Sequence, residues 1–494
     1  MDWFEAPEYW LSRFVFERAL GVVYLVAFLV AVNQFRPLLG ERGLLPVPRF
    51  VRMARFREAP SLFQLRYSDR LFSVVAWTGV VLAASVIVGL PQAGPIWASM
   101  LVWLGLWALY VSIVNVGQTF YSFGWESLLC EVGALAILLG DARTAPPILL
   151  VFLMRWLLFR LEFGAGLIKL RGDRCWRDLT CLHYHHETQP MPNPLSWFFH
   201  HLPGRAHKVE VLANHFAQLV VPFFLFTPQP IAGVAGGIIV LTQSWLILSG
   251  NFSWLNFLTI VLAIFAFSDA ALGHVLPFDR PQLVASPHWY EGLVIALTVL
   301  VAVLSYWPIR NMLSRRQLMN FSFNRLHFVG TYGAFGHITK ERYEIILEGA
   351  GDAGPSETWK AYEFKGKPGD PKRLPPQVAP YHLRLDWLMW FAAMGPPDRY
   401  PWVVELVRRL LEGDKTALKL LRHNPFPDAP PALVRARLYR YRFTSRAERR
   451  ETGAWWARTP VAMWLPPLAL DSTGALTTSA TGASRRTGHA SDGL

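Results

Sequence analysis

The sequence predicts a multi-pass α-helical membrane protein with about nine transmembrane helices, followed by a C-terminal domain of α+β or β-sandwich-like type. Hydrophobic residues make up 52% of the 494 residues and charged residues only 17%. This composition is too apolar for a soluble globule and excludes disorder of the main body. Long apolar runs fill residues 1–310, whereas most of the formal net charge of +13 belongs to the rest of the chain.

Nine apolar runs are the predicted membrane spans, because a helix needs about 20 apolar residues to cross the hydrocarbon layer. They are 18–35, 71–90, 95–115, 124–140, 146–163, 211–227, 229–249, 252–270 and 289–307. Runs 124–140 and 211–227 are short and also fit re-entrant or buried helices. An odd number of crossings places the chain ends on opposite faces. Loops 36–70 and 164–210 then share a face with the C-terminal domain.

These two loops give opposite predictions of sidedness. Loop 36–70 contains eight arginines, which the positive-inside rule assigns to the cytoplasm. In loop 164–210, Cys175 and Cys181 are close enough in sequence to form a disulfide if their face is oxidising. Two reduced thiols are an equally good interpretation of the spacing alone. Cys130 lies in an apolar run, where packing is its expected role.

Residues 311–470 change to a polar pattern interrupted by prolines, which predicts an extramembrane domain. Alternating hydrophobicity predicts strands at 343–348, 359–364 and 434–443, and helical spacing occurs at 383–394, 402–411 and 417–422. Residues 471–494 are rich in Ser, Thr and Gly without a hydrophobic pattern, which predicts a disordered tail. The basic charge of this part of the chain favours contact with anionic membrane lipid or an acidic partner over nucleic acid.

Charged side chains in and after run 146–163 form the first candidate site. Arg155, Arg160 and Glu162 need partners or a wet cavity at that depth, and a structural ion pair is the simplest explanation. Lys169 either extends to the membrane interface or is a desolvated amine that acts as a base. His183 is the second candidate catalytic residue.

The histidine-rich stretch after Cys181 does not predict a metal site. His183, His185 and His186 have neither the His-Glu-x-x-His spacing nor a tetrahedral Cys/His pattern, and adjacent histidines point apart. The sequence also lacks a phosphate-binding glycine loop, a dinucleotide-binding glycine pattern and a serine-hydrolase elbow. We therefore predict no metal and no cofactor, and a soluble nucleotide-using enzyme or an ordinary serine hydrolase is disfavoured.

Seven segments carry a resemblance to a known family. They are YSFGWESLLCEVGALAILL (121–139), GDRCWRDLTCLHYHHETQPMPNPLSWFFHHLP (172–203), NFSWLNFLTI (251–260), NRLHFVGTYGAFGHITKERYEIILEG (324–349), WKAYEFKG (359–366), PYHLRLDWLMWFAA (380–393) and NPFPDAPPALVRARLYRYRFT (424–444). Together they resemble the lipase maturation factor family over residues 10–465. Animal members are multi-pass proteins of the endoplasmic reticulum membrane that help homodimeric lipases fold and assemble.

The resemblance implies a location and an orientation. The C-terminal domain of the family lies in the lumen, so this domain would face the lumen in a eukaryote or the periplasm in a bacterium, where the bundle would span the inner membrane. That orientation favours the disulfide between Cys175 and Cys181. It makes the arginine-rich loop 36–70 an exception to the positive-inside rule.

A second, fainter similarity concerns one helix. The segment LEFGAGLIKLRGDRCW (161–176) is similar to a Tyr-x-x-Ala-Gly-x-x-Lys-Leu run followed by Trp in the vitamin-K-dependent gamma-carboxylase and its horizontally transferred transmembrane relatives. The lysine of that run is the catalytic base, and only Lys169 corresponds to a catalytic position. The tyrosine of the run is replaced around Glu162 and Phe163.

Two functions follow as hypotheses. The first is a chaperone-like maturation factor, without enzymatic activity, that binds a client lipase or another exported protein through exposed aromatic residues, with Trp359, Trp387 and Trp390 as candidates. The alternative is an integral membrane enzyme that acts on a lipid-soluble substrate with Lys169 as base. It requires a buried polar cavity that holds Lys169, Arg160, Glu162 and His183.

Overall fold

The structure is a computed structural model that describes residues 3–278, 280–351 and 358–478. Its first part is a helical bundle. Its first helices are α1 (Trp10–Leu39), α2 (Val47–Met53), α3 (Asp69–Ile87), α4 (Leu90–Ala93), α5 (Ile96–Val116), α6 (Gly124–Ala136) and α7 (Ile148–Arg171). Loop 164–210 contributes the short helices α8 (Arg174–Arg177), α9 (Leu182–Thr188) and α10 (Ser196–His200). The bundle ends with α11 (Gly204–Leu219), α12 (Ile231–Ser249), α13 (Leu255–Ala263), α14 (Asp269–Leu272), α15 (His288–Leu304) and α16 (Tyr306–Leu313).

Six helices among the described residues are long and apolar enough to cross a membrane, so the predicted count of about nine is not confirmed. They are Pro7–Leu39, Asp69–Ile87, Ile96–Val116, Gly204–Phe226, Ile231–Ser249 and His288–Leu313. The other three predicted runs also fold as helices of the bundle. However, α6 has 13 residues, α13 has nine, and α7 contains several charged residues. These three helices are packed largely inside the protein.

Local sequence signals set the ends of the span α3. The Ser68 hydroxyl accepts a hydrogen bond from the Leu71 amide at 3.1 Å, which satisfies one of the free amides of the first turn. Asp69 adds a negative charge where the helix dipole is positive. Two residues beyond the last helical residue, Gly89 has a φ of 81°, a conformation that glycine adopts without a steric penalty.

The two ends of the bundle have different surroundings. At the start of α1, the Trp10 indole donates to the Ala142 carbonyl at 2.8 Å. At the other end, the side-chain amide of Gln34 donates a hydrogen bond to the backbone carbonyl of His382, in the C-terminal domain, at 2.7 Å. Asn115 joins the same end, since its amide donates to the carbonyls of Pro60 and Arg325. Loop 36–70 and the C-terminal domain therefore lie at one end of the bundle.

The C-terminal domain is an α+β domain with one main sheet rather than a sandwich. Its strands are β1 (Phe321–Ser322), β2 (Gly330–Thr331), β3 (Arg342–Ala350), β4 (Lys360–Ala361), β5 (Glu363–Phe364), β6 (Leu421–His423), β7 (Leu433–Phe443), β8 (Trp456–Leu470) and β9 (Leu476–Thr478). The main sheet is antiparallel with the order β4-β3-β7-β8-β9, and two small pairs, β1-β2 and β5-β6, stand apart. The helices are α17 (Arg384–Ala392), α18 (Pro401–Leu411), α19 (Lys415–Leu418) and α20 (Arg446–Thr452).

Two predicted elements of this domain differ in the structure. The helix expected at 417–422 ends at Leu418, because the chain then turns and Leu421 pairs with Phe364 in the small β5-β6 sheet. Part of the tail expected to be disordered is ordered as β9, which pairs with β8 after a turn at Gly474, where φ is 78°. The remainder of that prediction, 479–494, lies outside the described residues.

Candidate functional site

A cavity of about 930 Å³ lies where the bundle, loop 164–210 and the C-terminal domain meet. Most of its wall is apolar, as in small-molecule sites. Representative apolar lining residues are Leu161, Leu246, Phe252, Met319, Phe335 and Phe391. A few charged and amide side chains from α7, α11, α12 and α13 interrupt this surface.

Lys169 lies in this wall, on the last turn of α7. Its ammonium group donates to Asn214 Oδ1 at 2.7 Å and to Gln218 Oε1 at 2.8 Å, both on α11. The ammonium also lies 5.1 Å from the centre of the Trp176 ring, within reach of a cation–π interaction. A Cβ on Gly166 would lie 2.8 Å from the Leu219 side chain, so glycine is what lets α7 approach α11 this closely.

The second charged group of α7 in the cavity wall is Glu162. Its Oε1 accepts a hydrogen bond from Gln243 Nε2 at 2.6 Å. Gln243 Oε1 in turn accepts a hydrogen bond from Asn256 Nδ2 at 2.6 Å. Amides on α11, α12 and α13 thus hold both charged groups of α7, and the network connects four helices of the bundle.

The other charged residues predicted for this site are elsewhere. Arg160 forms an ion pair with Glu131 and donates to the Gly330 carbonyl at 2.7 Å. Arg155 donates to the Tyr9 hydroxyl at 2.7 Å. His183 is exposed. Of the four residues that the enzyme hypothesis requires in one cavity, the structure places only Lys169 and Glu162 there.

Three other histidines of loop 164–210, the buried His185 and His186 and the partly buried His200, have lowered pKa values and are uncharged at neutral pH. Burial lowers the pKa of His185 to about 3 and that of His200 to about 4. It also lowers the pKa of His186. The His185 ring packs edge-on against Phe335 with 4.8 Å between ring centres. His185 and His186 both line the cavity, so each contributes an uncharged ring to its wall.

A disulfide joins Cys175 to Cys181 in the structure, with 4.8 Å between their Cα atoms. Cys181 packs with Trp176 and with Val211 of α11 in a small hydrophobic cluster. The Trp176 indole donates to the Phe335 carbonyl at 2.7 Å. The disulfide loop is thereby fixed against α11 and against the segment that leads into the C-terminal domain. Cys130 is buried and unpaired within the described residues.

The C-terminal domain is bound tightly to loop 164–210. The buried Arg342 guanidinium donates to the carbonyls of Glu187 at 3.0 Å and Pro190 at 3.1 Å. The Trp197 indole donates to the Thr444 carbonyl at 2.9 Å. Because these contacts are buried and directional, the loop and the domain present one continuous surface.

Part of this continuous surface is an open recess of about 520 Å³ beside α20. It is lined by Trp197, Phe198, Arg446, Arg449, Arg450, Gly453 and Trp455, which we call the aromatic–arginine surface. The Arg449 guanidinium carbon lies 3.5 Å from the Trp455 ring centre and 4.8 Å from that of Trp197. Phe198 is 47% exposed. The sequence signal is the aromatic run at 197–199 together with the arginine-rich helix and the tryptophan pair at 455–456, which lie far from it in the sequence.

The three tryptophans predicted to bind a client have other environments. Trp387 is only 4% exposed and packs edge-on against Trp125, with 5.0 Å between ring centres. The structure therefore does not expose Trp387, because α17 packs against the bundle and buries this side chain. Trp390 is half-buried and donates to the Thr188 carbonyl at 3.1 Å. Trp359 is half-buried beneath Arg435, whose guanidinium carbon lies 3.9 Å from its ring centre.

Comparison with known proteins identifies both parts of the chain. The lipase maturation factor transmembrane domain matches residues 11–274, and the lipase maturation factor C-terminal domain matches residues 328–466. No solved structure matches the chain significantly.

Curated relatives match over nearly the full length. The chain is 43% identical to human lipase maturation factor 1 and 44% identical to the bovine protein, over 94% of this chain and 88% and 90% of theirs. It is 29% identical to human lipase maturation factor 2, over 93% of this chain and 83% of that protein. The carboxylase-like alternative gains no support from these matches. The chain is therefore a multi-pass membrane protein that belongs to the lipase maturation factor family.

Proposed function

We propose that this protein is a membrane-embedded maturation factor that assists the folding or assembly of exported lipases or related secreted hydrolases. The observation that carries the proposal is the 43% identity to human lipase maturation factor 1 across 94% of the chain. Similarity of that extent covers the bundle, loop 164–210 and the C-terminal domain together. In this proposal the bundle anchors the protein, and the loop and the domain bind the client.

The C-terminal domain faces the periplasm if the source is bacterial and the lumen of the endoplasmic reticulum if it is eukaryotic. The disulfide between Cys175 and Cys181 supports this side, since disulfides persist in oxidising compartments. The eight arginines of loop 36–70 oppose it. We give the disulfide more weight, because the positive-inside rule is statistical.

The client contact in this proposal is the aromatic–arginine surface. Trp, Phe and Arg are enriched in the centres of protein interfaces. The surface contains residues of loop 164–210 and of the C-terminal domain, the two parts assigned to client binding. Its three arginines suit a client segment that combines acidic and apolar side chains.

Charge reversal at this surface tests the client contact. In a cell that lacks the protein and produces a secreted lipase, we expect Arg450→Glu combined with Phe198→Ala to reduce the yield of active lipase. Loss of interface hot spots costs about 2 kcal/mol, roughly a 30-fold loss of client affinity. The measurement is secreted lipase activity per amount of lipase polypeptide.

The matched control is Lys372→Glu, which makes the same charge change at another exposed position of the domain. It should support lipase maturation as the unmodified chain does. Equal lipase activity with both variants, at equal amounts of membrane protein, would contradict the assignment of the client to this surface. If a complete deletion leaves lipase activity unchanged, the maturation function itself is wrong.

Lys169→Met separates a structural role from a chemical role for this amine. The variant leaves the acceptor oxygens of Asn214 and Gln218 unpaired, so we expect the free energy of unfolding to fall by about 2 kcal/mol. Lipase maturation per folded molecule should be unchanged, because the proposal gives Lys169 no chemical step. A normally abundant, normally folded Lys169→Met protein that fails to mature lipase would contradict this expectation.

A further inference from the structure

His186, His207 and Glu210 form a cluster at the edge of the cavity. One nitrogen of each histidine and one carboxylate oxygen all lie within 4.8 Å of one another. His186 is on α9, and the other two residues are on the first turns of α11. His207 and Glu210 are three positions apart and therefore share a helix face, with 3.1 Å between His207 Nδ1 and Glu210 Oε2.

Nothing in the described part of the chain compensates for the burial of the His186 imidazole. The residue is 2% exposed, yet neither ring nitrogen has a hydrogen-bond partner among the described residues. Burial of an unpaired polar group costs a few kcal/mol. The ring packs beside that of His207, with 5.7 Å between ring centres. A ligand bound between these side chains would supply the missing partner of a His186 ring nitrogen.

The other two members of the cluster have the supporting contacts of metal ligands. His207 Nε2 lies 3.4 Å from the His200 carbonyl, the usual partner for the second nitrogen of a ligating histidine. The second oxygen of Glu210 accepts a hydrogen bond from the Trp245 indole at 2.7 Å. These contacts orient one nitrogen and one carboxylate oxygen toward His186.

We infer that His186, His207 and Glu210 bind a divalent transition-metal ion, with Zn²⁺ as the best match. Two imidazoles and one carboxylate are a ligand set that suits Zn²⁺. Three protein ligands leave one of four tetrahedral positions for water or another molecule. His186 and Glu210 line the 930 Å³ cavity, so the inferred site lies at its wall.

The local spacing of His183, His185 and His186 does not predict a metal site. Two of the three ligands belong to α11, beyond α10 in the sequence, and local spacing does not reveal that the fold brings them to His186. In the inferred site the ion crosslinks α9 of loop 164–210 to α11 of the bundle. It stabilises the loop that carries Trp197 and Phe198 of the aromatic–arginine surface, although metal binding itself does not depend on any client.

Zn²⁺ titration of the purified full-length protein in detergent tests the inference. After treatment with a chelator, Zn²⁺ is added in competition with a chromophoric chelator, and Co²⁺ is used in parallel as a spectroscopic probe. We expect one Zn²⁺ per chain and a Co²⁺ absorption band typical of four-coordinate geometry. His186→Ala and Glu210→Gln should each weaken Zn²⁺ binding more than about 100-fold. Loss of a residue that only hydrogen-bonds to a metal ligand already lowers metal affinity about 10- to 100-fold.

The control is His288→Ala, which removes a fully exposed histidine at the start of α15 and should bind Zn²⁺ as the unmodified chain does. His186→Ala breaks no hydrogen bond among the described residues, and its folding is checked by size-exclusion chromatography and the metal-free Tm. Zn²⁺ should raise the Tm of the unmodified chain and leave that of His186→Ala unchanged. An unmodified protein that does not bind Zn²⁺, or variants that bind it equally well, would overturn the inference.

Discussion

Replacement of Arg384 by leucine is expected to lower the free energy of unfolding by about 3–5 kcal/mol, because it leaves a buried carboxylate without its cation. Arg384 is completely buried where the C-terminal domain meets the bundle. Its guanidinium donates to Glu126 Oε1 at 2.7 Å and to the Phe120 carbonyl at 2.8 Å. Denaturant unfolding in detergent and protease sensitivity of the C-terminal domain are the measurements.

A double-mutant cycle with Glu126→Gln tests the cause of this loss. If the ion pair is responsible, the combined Glu126→Gln and Arg384→Leu protein should be more stable than the sum of the single effects predicts, since it has no unpaired buried charge. Strictly additive effects of the two substitutions would contradict this explanation. They would indicate that Arg384 stabilises the protein by packing on Tyr121, whose ring centre is 3.4 Å from its guanidinium carbon.

Glu344→Ala is expected to have a comparable effect within the C-terminal domain. Glu344 lies between Arg342 and Lys367, and all three side chains are fully buried. Without the carboxylate, two cations stay buried and unbalanced, which costs about 3–5 kcal/mol. Arg342 also donates to the carbonyl groups of loop 164–210, so we expect the variant to loosen the loop and to accumulate poorly in the membrane.

Glu341→Ala is the matched control for Glu344→Ala. Glu341 forms an ion pair with Arg440 on the exposed side of the sheet. Solvent screens that pair, so its loss should cost less than about 1 kcal/mol. Thermal unfolding and the steady-state amount of each protein are measured together. Similar losses for the exposed and the buried glutamate would show that the buried charge cluster does not stabilise the domain.

Hydrophobic patterning predicted much of the fold, because apolar runs report burial directly. Each predicted apolar run overlaps a helix, and the strands at 343–348 and 434–443 overlap β3 and β7. Charge pairing was less predictable. The sequence predicts a structural ion pair among Arg155, Arg160 and Glu162 of one helix, but Arg160 pairs with Glu131 of α6. The fold brings these partners together, and sequence separation gives no sign of it.

The same limit applies to the candidate site. The sequence indicated that Lys169 and the histidine-rich loop are unusual, and the structure places Lys169 and His185 in one cavity wall. The sequence did not indicate that Asn214 and Gln218 of α11 would accept hydrogen bonds from this lysine. An apolar face predicts burial of α17, but whether Trp387 faces a client or the bundle depends on how the two parts of the protein pack.

The central claim is that an exported lipase binds the aromatic–arginine surface during its maturation, and in-cell crosslinking tests it most directly. A photo-reactive amino acid is placed at position 198, and a second version carries it at position 303, an exposed apolar position of α15. In cells that produce a secreted lipase, our account predicts a covalent product between the chain and newly made lipase from position 198 and none from position 303. Lipase that needs this protein for activity yet never crosslinks at position 198 would contradict it.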